Sequence, residues 1–102
     1  MVRILVVEDD LDLNRFVSSS LRGVGYEVYS CFNGVEALEF MENTNIDLLL
    51  TDIMMPKMNG FELAESIRVT NKVLPIIFMT AKDDKQSKML GYNIGIDEYV
   101  TK

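Results

Sequence analysis

The sequence predicts an open α/β fold, in which a parallel sheet has helices on both faces. Short aliphatic runs alternate along the chain with segments whose apolar residues recur at helical spacing. Runs this short and this apolar are typical of strands buried on both faces. Strands that alternate with helices form right-handed βαβ crossovers, which make the sheet parallel. With 102 residues, 48% of them hydrophobic, residues 1–102 are expected to form one globular domain.

Five strands are predicted, one at each apolar run. Aliphatic residues dominate the first, third and fourth runs, and such residues pack well in a buried sheet. The second and fifth runs contain fewer of them. The predicted strands span residues 2–7, 26–30, 46–51, 74–79 and 97–101.

Four helices are predicted between the strands. Asn33 precedes Glu36, and Asn59 precedes Glu62, by the three residues of a capping box, which marks the start of a helix. The fourth helix, at residues 84–92, has the thinnest apolar stripe. The first three have apolar stripes that should face the sheet, formed by Leu13, Phe16, Val17 and Leu21, by Val35, Leu38 and Met41, and by Phe61, Ala64 and Ile67.

The composition excludes several classes of function. Sixteen acidic and ten basic side chains give a net charge of -6, which repels nucleic acid and anionic membranes, so neither is an expected direct partner. The absence of histidine and the single cysteine exclude a His/Cys metal cage, a histidine-based catalytic dyad and an internal disulfide. The apolar N-terminal run is too short for a signal peptide or a membrane span. We therefore expect a cytoplasmic location.

Polar side chains follow the predicted strands at the edge where α/β folds bind ligands, outside the carboxyl ends of the strands. Glu8 and Asp9 follow the first strand, and Asp52 follows the third. Thr80 follows the fourth strand and Lys102 the fifth. The fold thus brings carboxylates, a hydroxyl and an amine from separate segments to one edge.

Converging carboxylates repel one another, and a divalent cation relieves that repulsion. Oxygen ligands without histidine or thiolate suit Mg²⁺, which often bridges to a phosphoryl oxygen. A carboxylate can act as the nucleophile of phosphoryl transfer and form an acyl phosphate. Asp52 is the expected nucleophile, Lys102 the cation that neutralises charge, and Thr80 the hydroxyl that senses the modified Asp52. The pattern indicates a switch.

Several of these residues also have purely structural interpretations. Acidic residues before a helix serve as caps, which is the favoured interpretation of Asp10 and Asp12. Two adjacent carboxylates at 8 and 9 exceed what capping requires. Taken singly, Asp52 fits a turn residue, Thr80 a helix cap and Lys102 a solvated terminus. Tyr99 fits a half-buried aromatic residue of a strand. The methionines fit apolar filling of a loop and the core, at Met54, Met55 and Met58.

Four segments in order match a known family: Ile-Leu-Val-Val-Glu-Asp-Asp at 4–10, Thr-Asp-Ile-Met-Met-Pro-Lys-Met-Asn-Gly at 51–60, Met-Thr-Ala at 79–81, and Gly-Ile-Asp-Glu-Tyr-Val-Thr-Lys at 95–102. With these segments the sequence resembles the receiver domain of bacterial two-component response regulators from end to end. The resemblance implies a flavodoxin-like sheet with strand order 2-1-3-4-5.

The resemblance also implies residue roles at the acidic edge. It makes Asp52 the acceptor of a phosphoryl group from a phosphohistidine on a sensor histidine kinase. It implies that Glu8, Asp9, Asp52 and the backbone carbonyl of Met54 hold Mg²⁺. A protein of this kind catalyses only its own phosphorylation and dephosphorylation, so no separate enzyme activity is expected.

Further roles follow from the same resemblance. Thr80 and Tyr99 match the switch pair, Lys102 matches the lysine that contacts the phosphoryl group, and Met54 and Lys82 match positions that tune self-dephosphorylation. The final segment is similar to members that continue into a winged-helix DNA-binding domain, which implies transcription control by the full-length protein.

The sequence departs from the family at its end, because a receiver continues past Lys102 through a proline and a fifth helix. We expect the missing last helix to leave apolar surface on the later strands, and hence self-association through that face.

The same residues admit three alternative functions. A truncated receiver that serves only as a non-signalling scaffold remains open. A Mg²⁺-dependent phosphohydrolase with an aspartyl-phosphate intermediate usually has a second acid two residues after the nucleophile, where this sequence has Met54. A flavin or nucleotide carrier needs a glycine- or hydroxyl-rich loop after the first strand, where this sequence has acidic residues.

Overall fold

The computed structural model describes residues 1–80 and 98–101. Short strands and helices alternate along the first eighty residues, as the apolar pattern predicts. The predicted helix at 84–92 lies outside the described residues. The elements are β1 (Arg3–Val7), α1 (Leu11–Val24), β2 (Glu27–Cys31), α2 (Gly34–Asn43), β3 (Leu48–Asp52), α3 (Gly60–Thr70), β4 (Ile76–Thr80) and β5 (Glu98–Thr101).

The strands form one sheet in the order β2-β1-β3-β4-β5, and every neighbouring pair is parallel. The predicted fold class and strand order are therefore confirmed. Val7 of β1 aligns with Cys31 of β2 on one side and with Thr51 of β3 on the other. The chain crosses from one side of β1 to the other between β2 and β3, which places the ligand-binding edge of this fold beside the end of β1.

The core has two parts because successive residues of a strand point to opposite faces of the sheet. Leu5 and Val7 belong to the larger cluster, which includes buried residues of α2 and α3 such as Ala37 and Leu63. Ile4 and Val6 belong to the smaller cluster, against which α1 packs. Helices thus cover both faces, and β1 is buried on each side.

The predicted inner stripe of α1 is wrong in one respect. Phe16 is 70% exposed, whereas Asn14 and Ser18 are buried. The helix is rotated so that these two polar residues face the sheet, where carbonyl groups at the ends of β1 and β2 hydrogen-bond the Asn14 amide. In α2, Val35 is also more exposed than its place in the apolar stripe predicts.

Each described helix begins with a side-chain cap. The Asp10 carboxylate accepts a hydrogen bond from the Leu13 N–H at 3.1 Å, which confirms its interpretation as a cap. The Asn59 side chain accepts from the Glu62 N–H, and the Glu62 carboxylate accepts from the Asn59 N–H, so this capping box is complete. At α2 the Asn33 side chain accepts from the Glu36 N–H as predicted, but the Glu36 carboxylate accepts from the Phe32 N–H and not from the Asn33 N–H, so this capping box is only half formed. These caps fix the residue at which each described helix begins.

The single cysteine predicts a measurable alkaline weakening of the fold. Burial, with a smaller contribution from the Glu36 carboxylate, raises the pKa of the Cys31 thiol from 9.0 to about 11. Because the thiol ionises first in the unfolded chain, its contribution to stability is complete below pH 9 and is lost as the pH rises toward 11. We expect the free energy of unfolding to fall by about 2–3 kcal/mol more in wild type than in Cys31→Ala over this range.

Urea unfolding at a series of pH values between these limits tests the expectation. All other ionisable side chains are common to both proteins, so the difference between the two reports on Cys31. Equal losses of stability in wild type and Cys31→Ala would contradict it.

Candidate functional site

Three carboxylates meet at the carboxyl edge of the sheet. Oxygen atoms of Glu8, Asp9 and Asp52 all lie within 4.8 Å of one another. Glu8 and Asp52 are buried, at 1% and 4% exposure, while Asp9 is exposed. Glu8 directly follows β1, and Asp52 is the last residue of the neighbouring strand β3. Parallel pairing of these strands is what brings the three side chains together.

The backbone at Glu8 is held by hydrogen bonds from several directions. Its N–H donates to the Cys31 carbonyl at 3.1 Å, which extends the pairing of β1 with β2 by one residue. Its carbonyl accepts from the side-chain amide of Asn14 at 3.0 Å. Its carboxylate accepts from the Asp10 N–H at 3.0 Å. The start of the acidic segment is therefore fixed both by the sheet and by α1.

Asn14 is the centre of a buried polar network that lies behind the acidic cluster. Its amide nitrogen donates to the Glu8 carbonyl and, at 2.9 Å, to the Cys31 carbonyl. Its amide oxygen accepts from the Ser18 hydroxyl at 3.1 Å, and the hydroxyls of Ser18 and Ser30 lie 2.8 Å apart. Asn14 and Ser18 are not among the sequence-predicted site residues. Two polar residues four positions apart on one helix, just after an acidic strand end, are the signal that points to them.

The loop between β3 and α3 closes tightly behind Asp52. The Thr51 hydroxyl donates to the Asp52 carbonyl at 3.0 Å, and the Gly60 N–H donates to the Ile53 carbonyl at 2.7 Å.

Within the loop, Lys57 has a positive φ of 70°, and the turn around it is closed by a hydrogen bond from the Met58 N–H to the Pro56 carbonyl. Such a turn is strained for a residue other than glycine. The loop conformation is thus set by close backbone contacts.

Three of the other predicted site residues lie in the loop between β3 and α3, on β4 and on β5. Met54 lies in the same loop, and its side chain is 79% exposed, so it does not fill the core. Met55 and Met58, in contrast, pack against the core.

Thr80 is the last residue of β4, one position beyond Met79, which aligns with Asp52. Tyr99 aligns with Phe78 in the pairing of β5 with β4. Lys82 and Lys102 lie outside the described residues.

The donor set of the cluster fits a hard divalent cation. At the separations seen here, two unit charges repel by about 1 kcal/mol in water and by about 4 kcal/mol at the effective dielectric near a protein surface. All the donors are carboxylate oxygens, the ligands that Mg²⁺ prefers, and one of the three acids is exposed to solvent. The cluster therefore has the chemistry and the access that a magnesium site requires.

Among the described residues, no helix combines the length and the apolar character that crossing a bilayer requires.

Comparison with known proteins gives consistent family matches. The family model described as the response regulator receiver domain matches residues 4–102. The alkaline phosphatase synthesis transcriptional regulatory protein PhoP of Bacillus subtilis is 37% identical over 98% of this chain and 42% of its own length. The response regulator MprA of Mycobacterium ulcerans is 40% identical over 99% of this chain and 44% of its own length. The chain thus spans less than half the length of these curated relatives.

Solved structures agree with these matches. The response regulator TrrA of Thermotoga maritima, in complex with Mg²⁺ and BeF, superposes with a TM-score of 0.90 at 38% identity, covering 100% of this chain and 87% of TrrA. A structure of the histidine kinase ThkA in complex with TrrA gives a TM-score of 0.88 at 39% identity, with 100% and 86% coverage. Fold, acidic cluster and sequence similarity lead to one conclusion: the chain belongs to the family of response regulator receiver domains.

Proposed function

We propose that this chain is a phosphorylation-controlled signalling switch that accepts a phosphoryl group on Asp52 from a sensor histidine kinase. The observation that carries the proposal is the position of Asp52, buried at the end of β3 with Glu8 and Asp9 around it. The complex of ThkA with TrrA, a relative of this chain, supports a histidine kinase as the partner.

The proposed metal ligands are Glu8, Asp9, Asp52 and the Met54 carbonyl. The complex of TrrA with Mg²⁺ and BeF supports a magnesium site in this chain, and the short separations among the three carboxylates support them as its ligands. When bound, Mg²⁺ supplies positive charge that offsets the carboxylates and the phosphoryl oxygens. An Asp52 carboxylate oxygen attacks the phosphorus, the new P–O bond forms as the P–N bond to the kinase imidazole breaks, and that nitrogen takes up the released electron pair. Because the attacking atom is fixed at the end of a strand, this transfer depends chiefly on positioning.

Other side chains of the proposed switch complete the site. Lys102 contacts the phosphoryl group, Thr80 donates its hydroxyl to that group, and the Tyr99 ring follows the movement of Thr80. Met54 and Lys82 set the rate at which the acyl phosphate is lost. The exposed position of the Met54 side chain, two residues after Asp52, supports its part of this assignment. The protein thus catalyses only its own phosphorylation and dephosphorylation.

The proposal extends to the context of the switch. Residues 1–102 form the receiver domain of a cytoplasmic protein that controls transcription in its full-length form, in line with the name of PhoP. Self-association through apolar surface of the later strands, on the sheet face that also bears α1, is part of the proposal. Sedimentation over a concentration series tests the association: a monomer at every concentration would contradict it.

The central test is phosphorylation by acetyl phosphate in the presence of Mg²⁺, followed by intact mass and by the stability of the adduct in acid and base. We expect a base-labile adduct of one phosphoryl group on wild type and none on Asp52→Asn. Asp47→Asn is the matched control, because Asp47 is an exposed acid whose carboxylate accepts from the Arg3 N–H, a bond that asparagine can also make. The control should be phosphorylated like wild type.

The same experiment separates the alternatives. An adduct that persists in Asp52→Asn would contradict Asp52 as the acceptor. Failure of wild type to form any adduct would favour the non-signalling scaffold. Rapid turnover of phosphomonoesters would favour the Mg²⁺-dependent phosphohydrolase.

A further inference from the structure

We propose that Asn14 is a positioning residue of the acidic cluster: it sets the orientation of the peptide group that joins Glu8 to Asp9. The inference rests on the proposed function and deepens it, because it names the side chain that aims two of the metal ligands. It is carried by the hydrogen bonds from the Asn14 amide to the carbonyls of Glu8 and Cys31, at 3.0 and 2.9 Å.

The Glu8 carbonyl is part of the peptide group that links the two acids. A rotation of that peptide changes the direction in which the Glu8 and Asp9 side chains leave the backbone. The sheet fixes one side of this segment through the bond from the Glu8 N–H to the Cys31 carbonyl. The carbonyl of Glu8 lies just beyond β1, where regular pairing ends, and Asn14 supplies its donor.

Asparagine is well suited to this position. A side-chain amide has two N–H donors, and here both are directed at main-chain carbonyls. The Ser18 hydroxyl donates to the amide oxygen, so the amide is held in the orientation that presents its nitrogen to the carbonyls. Ser30, in β2, lies within hydrogen-bond distance of Ser18. An aspartate at position 14 would place its carboxylate oxygens, which accept hydrogen bonds, against carbonyl oxygens, which also accept them. An aliphatic residue would leave the Glu8 carbonyl without this donor.

The scaffold that carries Asn14 is itself fixed. The Asn14 N–H donates to the Asp10 carbonyl at 2.9 Å in the first turn of α1, and the Asp10 side chain caps that turn. Asp10 in turn donates its N–H to the Glu8 carboxylate. One buried side chain thus links α1, the end of β1 and the end of β2 immediately behind the cluster.

The test compares Asn14→Leu with wild type in two measurements on the isolated protein. The first is the backbone amide shifts of residues 8–10 without metal, and the second is the Mg²⁺ Kd from titration of the same amides. We expect Asn14→Leu to move these amide signals and to weaken Mg²⁺ binding about tenfold or more, as loss of a group that orients metal ligands typically does. Ile67→Ala is the control, because it creates a cavity in the core beside α3 and should leave the Kd unchanged.

Ser18→Ala is a milder variant that decides the question if Asn14→Leu does not fold. It removes the bond that orients the amide but keeps both donors, and we expect Mg²⁺ binding to weaken about twofold to tenfold. An unchanged Kd in the folded variants, with unchanged amide signals at residues 8–10, would overturn the role of Asn14. Failure of wild type to bind Mg²⁺ would instead contradict the proposed function, and the metal-free amide signals would still test Asn14.

Discussion

Replacing Gly60 with alanine is expected to destabilise the protein by about 3 kcal/mol, near the upper end of the usual effect of overpacking. Gly60 is the first residue of α3 and is buried. A Cβ at this position would lie 2.4 Å from the Asp52 carbonyl oxygen and 2.9 Å from the Ile53 Cα. Both are backbone atoms, so no change of rotamer relieves the clash, and the helix must move away from the end of β3.

Gly23→Ala is the matched control. Gly23 lies within α1, and a Cβ there would meet no atom within 4 Å. Alanine is the better helix former, so this substitution should stabilise the protein by about 0.5–1 kcal/mol. Urea unfolding of the two variants is therefore expected to give changes of opposite sign. A Gly60→Ala protein as stable as wild type would show that α3 is not held against β3 as described.

The same clash has a functional consequence, because the atom that the new Cβ meets belongs to the proposed phosphoryl acceptor. When the Asp52 carbonyl moves, the side-chain carboxylate of the same residue is displaced with it. We therefore expect Gly60→Ala, where folded, to accept the phosphoryl group more slowly than Gly23→Ala.

The parts of this fold that the sequence predicts well are those governed by short-range patterns. Aliphatic runs locate the strands, and asparagine three residues before glutamate locates the starts of α2 and α3. The convergence of Glu8 with Asp52 was also predictable, since residues that end neighbouring parallel strands must share an edge. No side-chain contact had to be known for that inference: the alternation of strands and helices predicts the shared edge, and the family resemblance implies that β1 and β3 are neighbours.

The inner face of α1 could not be predicted in the same way. Phe16 fits an apolar stripe, and Asn14 does not, so hydropathy favours the wrong rotation of the helix. Asn14 faces the sheet because its side-chain amide donates hydrogen bonds to two carbonyls at strand ends. Those carbonyls come together only once the register of β1 and β2 is fixed. The close approach of Gly60 to Asp52 is hidden for a related reason, because it depends on how tightly the loop folds back.

Asp9→Asn is expected to be more stable than wild type without Mg²⁺ and less stable than wild type when Mg²⁺ is added. Without the cation, loss of one of three neighbouring carboxylates relieves repulsion, which at an exposed position is worth about 1 kcal/mol or less. With Mg²⁺ at 100 times the Kd, wild type gains about 2.7 kcal/mol, because the ligand binds only the folded state. A variant that binds tenfold more weakly gains only about 1.4 kcal/mol under the same conditions.

Asp10→Asn provides the control, because it removes the same charge from the adjacent residue. The Asp10 side chain caps α1 through the Leu13 N–H, and asparagine caps equally well. Its unfolding free energy should therefore rise with Mg²⁺ as much as that of wild type, whereas the rise in Asp9→Asn is reduced. Thermal or urea unfolding of all three proteins, with and without Mg²⁺, distinguishes binding at the cluster from a general effect of net charge. If Mg²⁺ raised the unfolding free energy of all three proteins equally, the cation would be held by groups other than Asp9. A magnesium site at this edge would then need different ligands.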